Sequence, residues 1–196
     1  MSTIDDAEIK IEYNKHNIIY VCGPDHTGKT EISKALAQKI NGTRFKASSE
    51  HETLISHADK FSIQTAICEP RQIDLITQIG AKVVFDRGWP CEFAYGNILE
   101  RKVDLQSIFH IDELAYKANA IVIVCWRSSY KFIVDDLDIR LAGDMLSKIE
   151  LEYRRLATMC KTPFIFVNVD DENLDREIND IVVKLNATNL LEQKRN

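Results

Sequence analysis

A chain of 196 residues, 45% of them apolar and 28% charged, has the make-up of one globular domain around a single sizeable core and lies far from the disordered class. Its formal net charge of −5 supplies no overall positive field to draw it onto nucleic acid, which makes a small anionic ligand held by a local cluster of cations the more natural partner. The five cysteines, Cys22, Cys68, Cys91, Cys125 and Cys160, form no CxxC pair and no Cys/His zinc spacing, so reduced thiols in a cytosolic compartment are expected.

Residues 1–15 read as a polar, acidic N-terminal extension without the apolar stretch of a signal peptide. No apolar run approaches the ~20 residues that span a bilayer, so a soluble, cytoplasmic protein with no membrane partner is expected. Residues 17–22 are β-branched or aromatic and apolar nearly throughout, the pattern of a strand covered on both faces. A helix is predicted over 29–40, ended by Asn41-Gly42, because glycine readily takes the left-handed turn past a helix end. Residues 44–46 give a weaker strand signal. Helical periodicity follows over about 52–68 and over 71–79, with Glu69-Pro70 between them predicting a break.

A second buried strand is predicted at 82–85, then a helix at 105–118, a strand at 120–126, a helix at 141–159, a strand at 163–167 and a helix at 174–185. The polar tail beyond Asn186 is expected to fray. Strands alternating with helices predict an α/β fold of three layers in a single domain, a five-stranded parallel sheet with helices on both faces.

The strongest motif is Gly23-Pro24-Asp25-His26-Thr27-Gly28-Lys29-Thr30. It matches G-x-x-x-x-G-K-[ST] directly between a predicted strand and a predicted helix, the context that separates a phosphate-binding loop from a chance match. Gly23 and Gly28 permit backbone torsions that turn successive N–H groups toward phosphate oxygens, and the helix presents its positive end to the same anion. In such a loop Lys29 reaches the outer phosphates and the Thr30 hydroxyl can ligate Mg²⁺. The motif implies nucleoside triphosphate binding, with ATP and Mg²⁺ the expected cofactors, and leaves the acceptor open.

Asp86-Arg87 follows the 82–85 strand, and ligands of open α/β sheets gather at carboxyl ends of strands. An aspartate there can hold a metal or its waters, and an arginine suits a phosphate. A plain surface ion pair is the alternative for these two residues. With Ala94-Tyr95 after Asp86-Arg87, and with an acidic Asp25 inside the P-loop, the chain resembles the thymidylate kinase family of nucleoside monophosphate kinases. The resemblance runs from about 17 to 185, chiefly as an order of elements. It implies that Asp25 approaches the deoxyribose or helps order the metal site, that Arg87 grips the acceptor phosphate, and that Asp86 serves metal or water. It further implies Arg71 at the base edge, Tyr95 in the sugar pocket, Lys46 where the family carries a basic residue, and a homodimer. For Arg71 a solvated helix position, and for Tyr95 a place in the core, are the alternatives. His26 stands where some members have arginine aimed at the γ-phosphate, and Gly88 replaces a common aromatic.

Residues 127–140 occupy the place of the family's mobile lid. Arg127 and Arg140 are its candidate charge stabilisers, or else pair with its own acids Asp135, Asp136 and Asp138. Asn168-Val169-Asp170 is the expected adenine side. Deoxynucleoside kinases also resemble the chain, but they typically place Glu-Pro after the second strand and Glu-Arg-Ser after the third. The expected function is therefore phosphorylation of a deoxynucleoside monophosphate, dTMP first. A kinase acting on a hydroxyl of a nucleoside or of DNA is the second reading, and a nucleotide-binding switch the third.

Overall fold

A computed structural model describes residues 16–46, 64–130, 144–171 and 173–193. The N-terminal extension, residues 52–63 of the helix predicted over about 52–68, and most of the lid, with Arg140, Asp135, Asp136 and Asp138, lie outside the described residues. Five strands form one parallel sheet: β1 (Ile18–Cys22), β2 (Thr43–Lys46), β3 (Val83–Asp86), β4 (Ile121–Trp126) and β5 (Phe164–Asn168). Their order is β2-β3-β1-β4-β5. β1 pairs with β3 on one side and β4 on the other, so the connections that leave β1 and β3 run in opposite directions. The carboxyl ends of these two strands are where an open α/β sheet of this kind binds its ligands.

Alternate side chains of the central strands enter two different cores, which is why both faces carry helices. Ile18, Tyr20 and Cys22 pack with Val83 and Phe85 on one face. Ile19, Val21 and Val84 pack with Ile32, Leu36, Ile181 and Val182 on the other. All five β1 residues are buried, which accounts for the unbroken apolar run in the sequence. The helices are α1 (Lys29–Lys39), α2 (Glu69–Ile79), α3 (Trp89–Ile98), α4 (Leu105–Lys117), α5 (Asp144–Ala157) and α6 (Leu174–Gln193).

Three boundaries depart from the sequence expectation. Glu69-Pro70 does not break the chain. A π-helical segment, Gln64–Cys68, runs straight into α2, and the proline sits in its first turn, where no N–H is needed. Helix α3 carries no amphipathic signal because residues Trp89 to Gly96 are all buried. Helix α6 continues to Gln193, past the predicted end at Leu185, through good helix formers such as Ala187, Leu190 and Leu191.

An aromatic string fixes α3 beneath the carboxyl end of β3. Phe45 lies 5.8 Å from Phe85, Phe85 stacks on Tyr20 at 4.9 Å, and Tyr20 meets the edge of Trp89 at 6.4 Å. Each such pair adds about 0.5–1.5 kcal/mol beyond its buried area. The string therefore holds the turn between β3 and α3 as part of the core.

Candidate active site

The loop between β1 and α1 is shaped by backbone torsions that most residues resist. Gly23, His26 and Gly28 have φ of 136°, 64° and 66°. At Gly23 a Cβ would lie 2.2 Å from the carbonyl oxygen of Cys125, so the loop is pressed against β4 and only glycine fits. The buried Thr27 hydroxyl donates to the Pro24 carbonyl at 2.8 Å, closing the loop on itself.

Lys29 opens α1 with only 5% of the residue exposed. Its Nζ donates to the Pro24 carbonyl and lies 3.4 Å from Asp25 Oδ1. Arg87 reaches the same carboxylate oxygen at 2.5 Å across the crevice. Burial opposes ionisation of Asp25, but the Lys29 and Arg87 charges prevail and hold its pKa at about 2. Burial, aided by the Arg87 charge, lowers that of Lys29, and Asp25 counteracts it. Lys29, Asp25 and Arg87 thus form a cluster in which one carboxylate serves two cations.

Arg87 adopts φ 76°, and Gly88, at φ 153°, has no room for a side chain beside Tyr20 and Glu69. The guanidinium lies 5.7 Å from the centre of the Tyr95 ring, and the Tyr95 hydroxyl donates to the Gly23 carbonyl at 3.4 Å. Tyr95 is buried, at 7% exposure: it belongs to the core and supports Arg87 at the same time.

Asp86, the last residue of β3, has a side chain only 2% exposed. Its Oδ2 accepts from the Thr30 hydroxyl at 3.0 Å and from Arg44 of β2. Arg44 Nε also donates to Ser33 at 2.9 Å, and Ser33 donates to the Thr30 carbonyl at 2.9 Å. Thr30 and Asp86 are hard oxygen donors side by side, a set that suits Mg²⁺, an ion that takes few protein ligands and completes its shell with phosphate and water. Among the described residues no cluster of three or more His, Cys, Asp or Glu could hold a metal unaided.

Lys46 sits beside Asp86 in the β2–β3 register and is exposed. Arg71 is exposed in the first turn of α2, two residues from Glu69. His26 is exposed, and its carbonyl accepts from Arg127 Nε at 2.9 Å. The chain after Arg127 is tied to the end of β5: the Ser128 N–H donates to Asp170 at 2.9 Å, and Asn168 bonds both Ser128 and Asp170. The expected lid base and adenine side are therefore adjacent.

Two functional candidates escaped the sequence reading. Arg44 is one; its only signal was a basic pair, Arg44 and Lys46, at strand spacing. Glu69 is the other: 2% exposed, it accepts from the Trp89 N–H at 3.0 Å and so buttresses the turn that carries Arg87. Burial, with Cys91 adding to it and the Trp89 N–H opposing, pushes its pKa up to about 8.

No family model matches the chain, and no curated protein does. Solved structures do. The YorR protein of Bacillus subtilis, in complex with phosphorylated GDP, superposes with a TM-score of 0.63 at 16% identity, over 88% of this chain and 97% of its own. Thymidylate kinase from Ehrlichia chaffeensis gives 0.54 at 13% identity, over 89% and 99%. Deoxyadenosine kinase from M. mycoides with bound dATP gives 0.53 at 18% identity, over 86% and 98%. The chain shares the α/β fold of these proteins, and the match spans 86–89% of it.

Proposed function

We propose that the protein transfers the γ-phosphoryl group of ATP to a deoxynucleoside monophosphate, with dTMP or a related pyrimidine nucleotide the leading acceptor. The observation that carries this reading is the charge pairing at the crevice. Asp25 is engaged by Lys29 and Arg87, and Asp86 by Thr30 and Arg44. Glu69 turns inward to the Trp89 backbone. A hydroxyl acceptor calls for a carboxylate ready to take its proton. A monophosphate is already ionised and calls for cations and alignment. Among the described residues the crevice offers the second.

On this reading Gly23 to Thr30 cradles the triphosphate, with Lys29 on the outer phosphates and Arg127 at the donor side. Arg87, held by Asp25 through one nitrogen, presents its other donors to the acceptor phosphate, and Asp25 stays paired beside the deoxyribose or the metal site. Lys46, Arg71 and Tyr95 line the acceptor side, and Arg140 completes the charge around the transferring group. Thr30 and Asp86 would hold Mg²⁺, which when bound neutralises charge that develops on the phosphoryl oxygens. Closure of the 127–140 segment would exclude water from the transfer. A homodimer in the cytoplasm belongs to the same reading; among the described residues no helix is long and apolar enough to cross a membrane.

A hydroxyl acceptor is the second reading, supported by the comparable likeness to deoxyadenosine kinase. Steady-state ADP formation from ATP and Mg²⁺, measured against a panel of deoxynucleoside monophosphates, the matching nucleosides and a DNA oligonucleotide, separates the two. Turnover confined to monophosphates supports the first reading. Turnover confined to nucleosides or DNA overturns it.

A further inference from the structure

Resting on the reading that Asp86 and Thr30 hold a divalent cation, we propose that Arg44 is a built-in competitor of that cation, a positioning residue that makes metal binding depend on the nucleotide. The Asp86 carboxylate is almost wholly buried, and a buried carboxylate without a partner is costly. Arg44 supplies the partner, and it is not a loosely hanging side chain. Its Nε is fixed to Ser33, which is fully buried and itself bonded to the Thr30 carbonyl. Its terminal nitrogen meets Oδ2 of Asp86, the same oxygen that the Thr30 hydroxyl donates to. Strand β2, helix α1 and strand β3 thus converge on one guanidinium, seated on the oxygen a metal between Thr30 and Asp86 would need.

Charge counting gives the consequence. Lys29, Arg44 and Arg87 face Asp25 and Asp86, three cations against two carboxylates. A divalent ion arriving alone adds positive charge to a site that is already positive, and it shares an oxygen with a fixed guanidinium. A triphosphate arriving with the ion reverses that balance. Arg44 therefore penalises the free ion and spares the nucleotide-bound one, and by linkage it strengthens the coupling between the two. Had Arg44 served only to orient Asp86, its removal would weaken the metal in both states.

Mn²⁺ is the probe, followed by electron paramagnetic resonance with and without a non-hydrolysable ATP analogue on the full chain. Arg44→Gln is expected to bind free Mn²⁺ about tenfold tighter than the unmodified protein, while affinity in the presence of the analogue changes by less than about threefold. The gain should vanish when Asp86→Asn is added to Arg44→Gln. Free Mn²⁺ bound no tighter by Arg44→Gln, or bound tighter even with Asp86→Asn, overturns the proposal. If Arg44→Gln does not fold, Arg44→Met, which removes the charge and the bridge between Ser33 and Asp86 while keeping a long stem, must bind the free ion tighter; equal or weaker binding refutes the competition. Failure of the underlying reading looks different: Asp86→Asn alone would then leave Mn²⁺ affinity with the analogue unchanged.

Discussion

Replacing Asp25 by asparagine removes the one anion that Lys29 and Arg87 share while keeping the side chain's shape. The cost follows from the titration of the carboxyl. Its pKa falls from an ordinary 3.8 to about 2 on folding, and each pKa unit corresponds to about 1.4 kcal/mol. The ionised carboxylate therefore contributes about 2 kcal/mol, with the side chain only 20% exposed and little screened. The sign is that of a depressed acid: the contribution is complete above the unfolded value near 4 and disappears as pH falls through about 2. Urea unfolding at pH 7 should show Asp25→Asn less stable by about 2 kcal/mol, with a shallower acid decline between pH 4 and pH 2. Saturating ATP analogue together with dTMP should recover much of the loss, since on the proposed reading the triphosphate meets Lys29 and the acceptor phosphate meets Arg87. An asparagine variant as stable as the parent at pH 7, with the same acid profile, would refute the shared-anion account.

Lys29→Ala should lower turnover by several orders of magnitude while circular dichroism stays unchanged, because on the proposed reading the lysine acts on the phosphates; a near-normal rate contradicts that role. Gly23→Ala forces a Cβ to within 2.2 Å of the Cys125 carbonyl at φ 136°, and should destabilise the fold by more than about 2 kcal/mol in thermal melts; a melting temperature within a degree or two of the parent would argue against that packing. Glu69 binds its proton more tightly in the folded chain, from an ordinary 4.5 up to about 8, so stability should fall as pH rises across that interval. Glu69→Gln should flatten this decline in denaturant midpoints between pH 5 and pH 8, and an unchanged slope would place the titration elsewhere.

What could be read in the sequence follows from where the information is local. The run Ile18–Cys22 is apolar at every position because helices cover both faces of β1, and the P-loop spacing between that strand and α1 is a matter of adjacent residues. The α3 helix was illegible for the opposite reason: with Trp89 to Gly96 all buried, it has no polar face to set a 3.6-residue period. Pro90 and Gly96 within it have the lowest intrinsic helix propensities and add no helix signal. Glu69-Pro70 read as a break, yet the proline occupies a first turn that tolerates it, and the glutamate's burial against Trp89, 20 residues along the chain, leaves no local mark. The ion pairs at the site are more distant still. Asp25 meets Arg87 across 62 residues and Arg44 meets Asp86 across 42. Position after a strand could nominate Asp86 and Arg87, and the family resemblance Asp25, but only the parallel order β2-β3-β1 reveals which cation each carboxylate holds.

The most direct test of the central claim follows the labelled γ-phosphate of ATP under single-turnover conditions with Mg²⁺ and dTMP. The account predicts that the label appears in dTDP, at a rate that Lys29→Ala reduces by several orders of magnitude. ATP bound with the label never leaving it for any deoxynucleoside monophosphate, or leaving only for a nucleoside or a DNA hydroxyl, would contradict it.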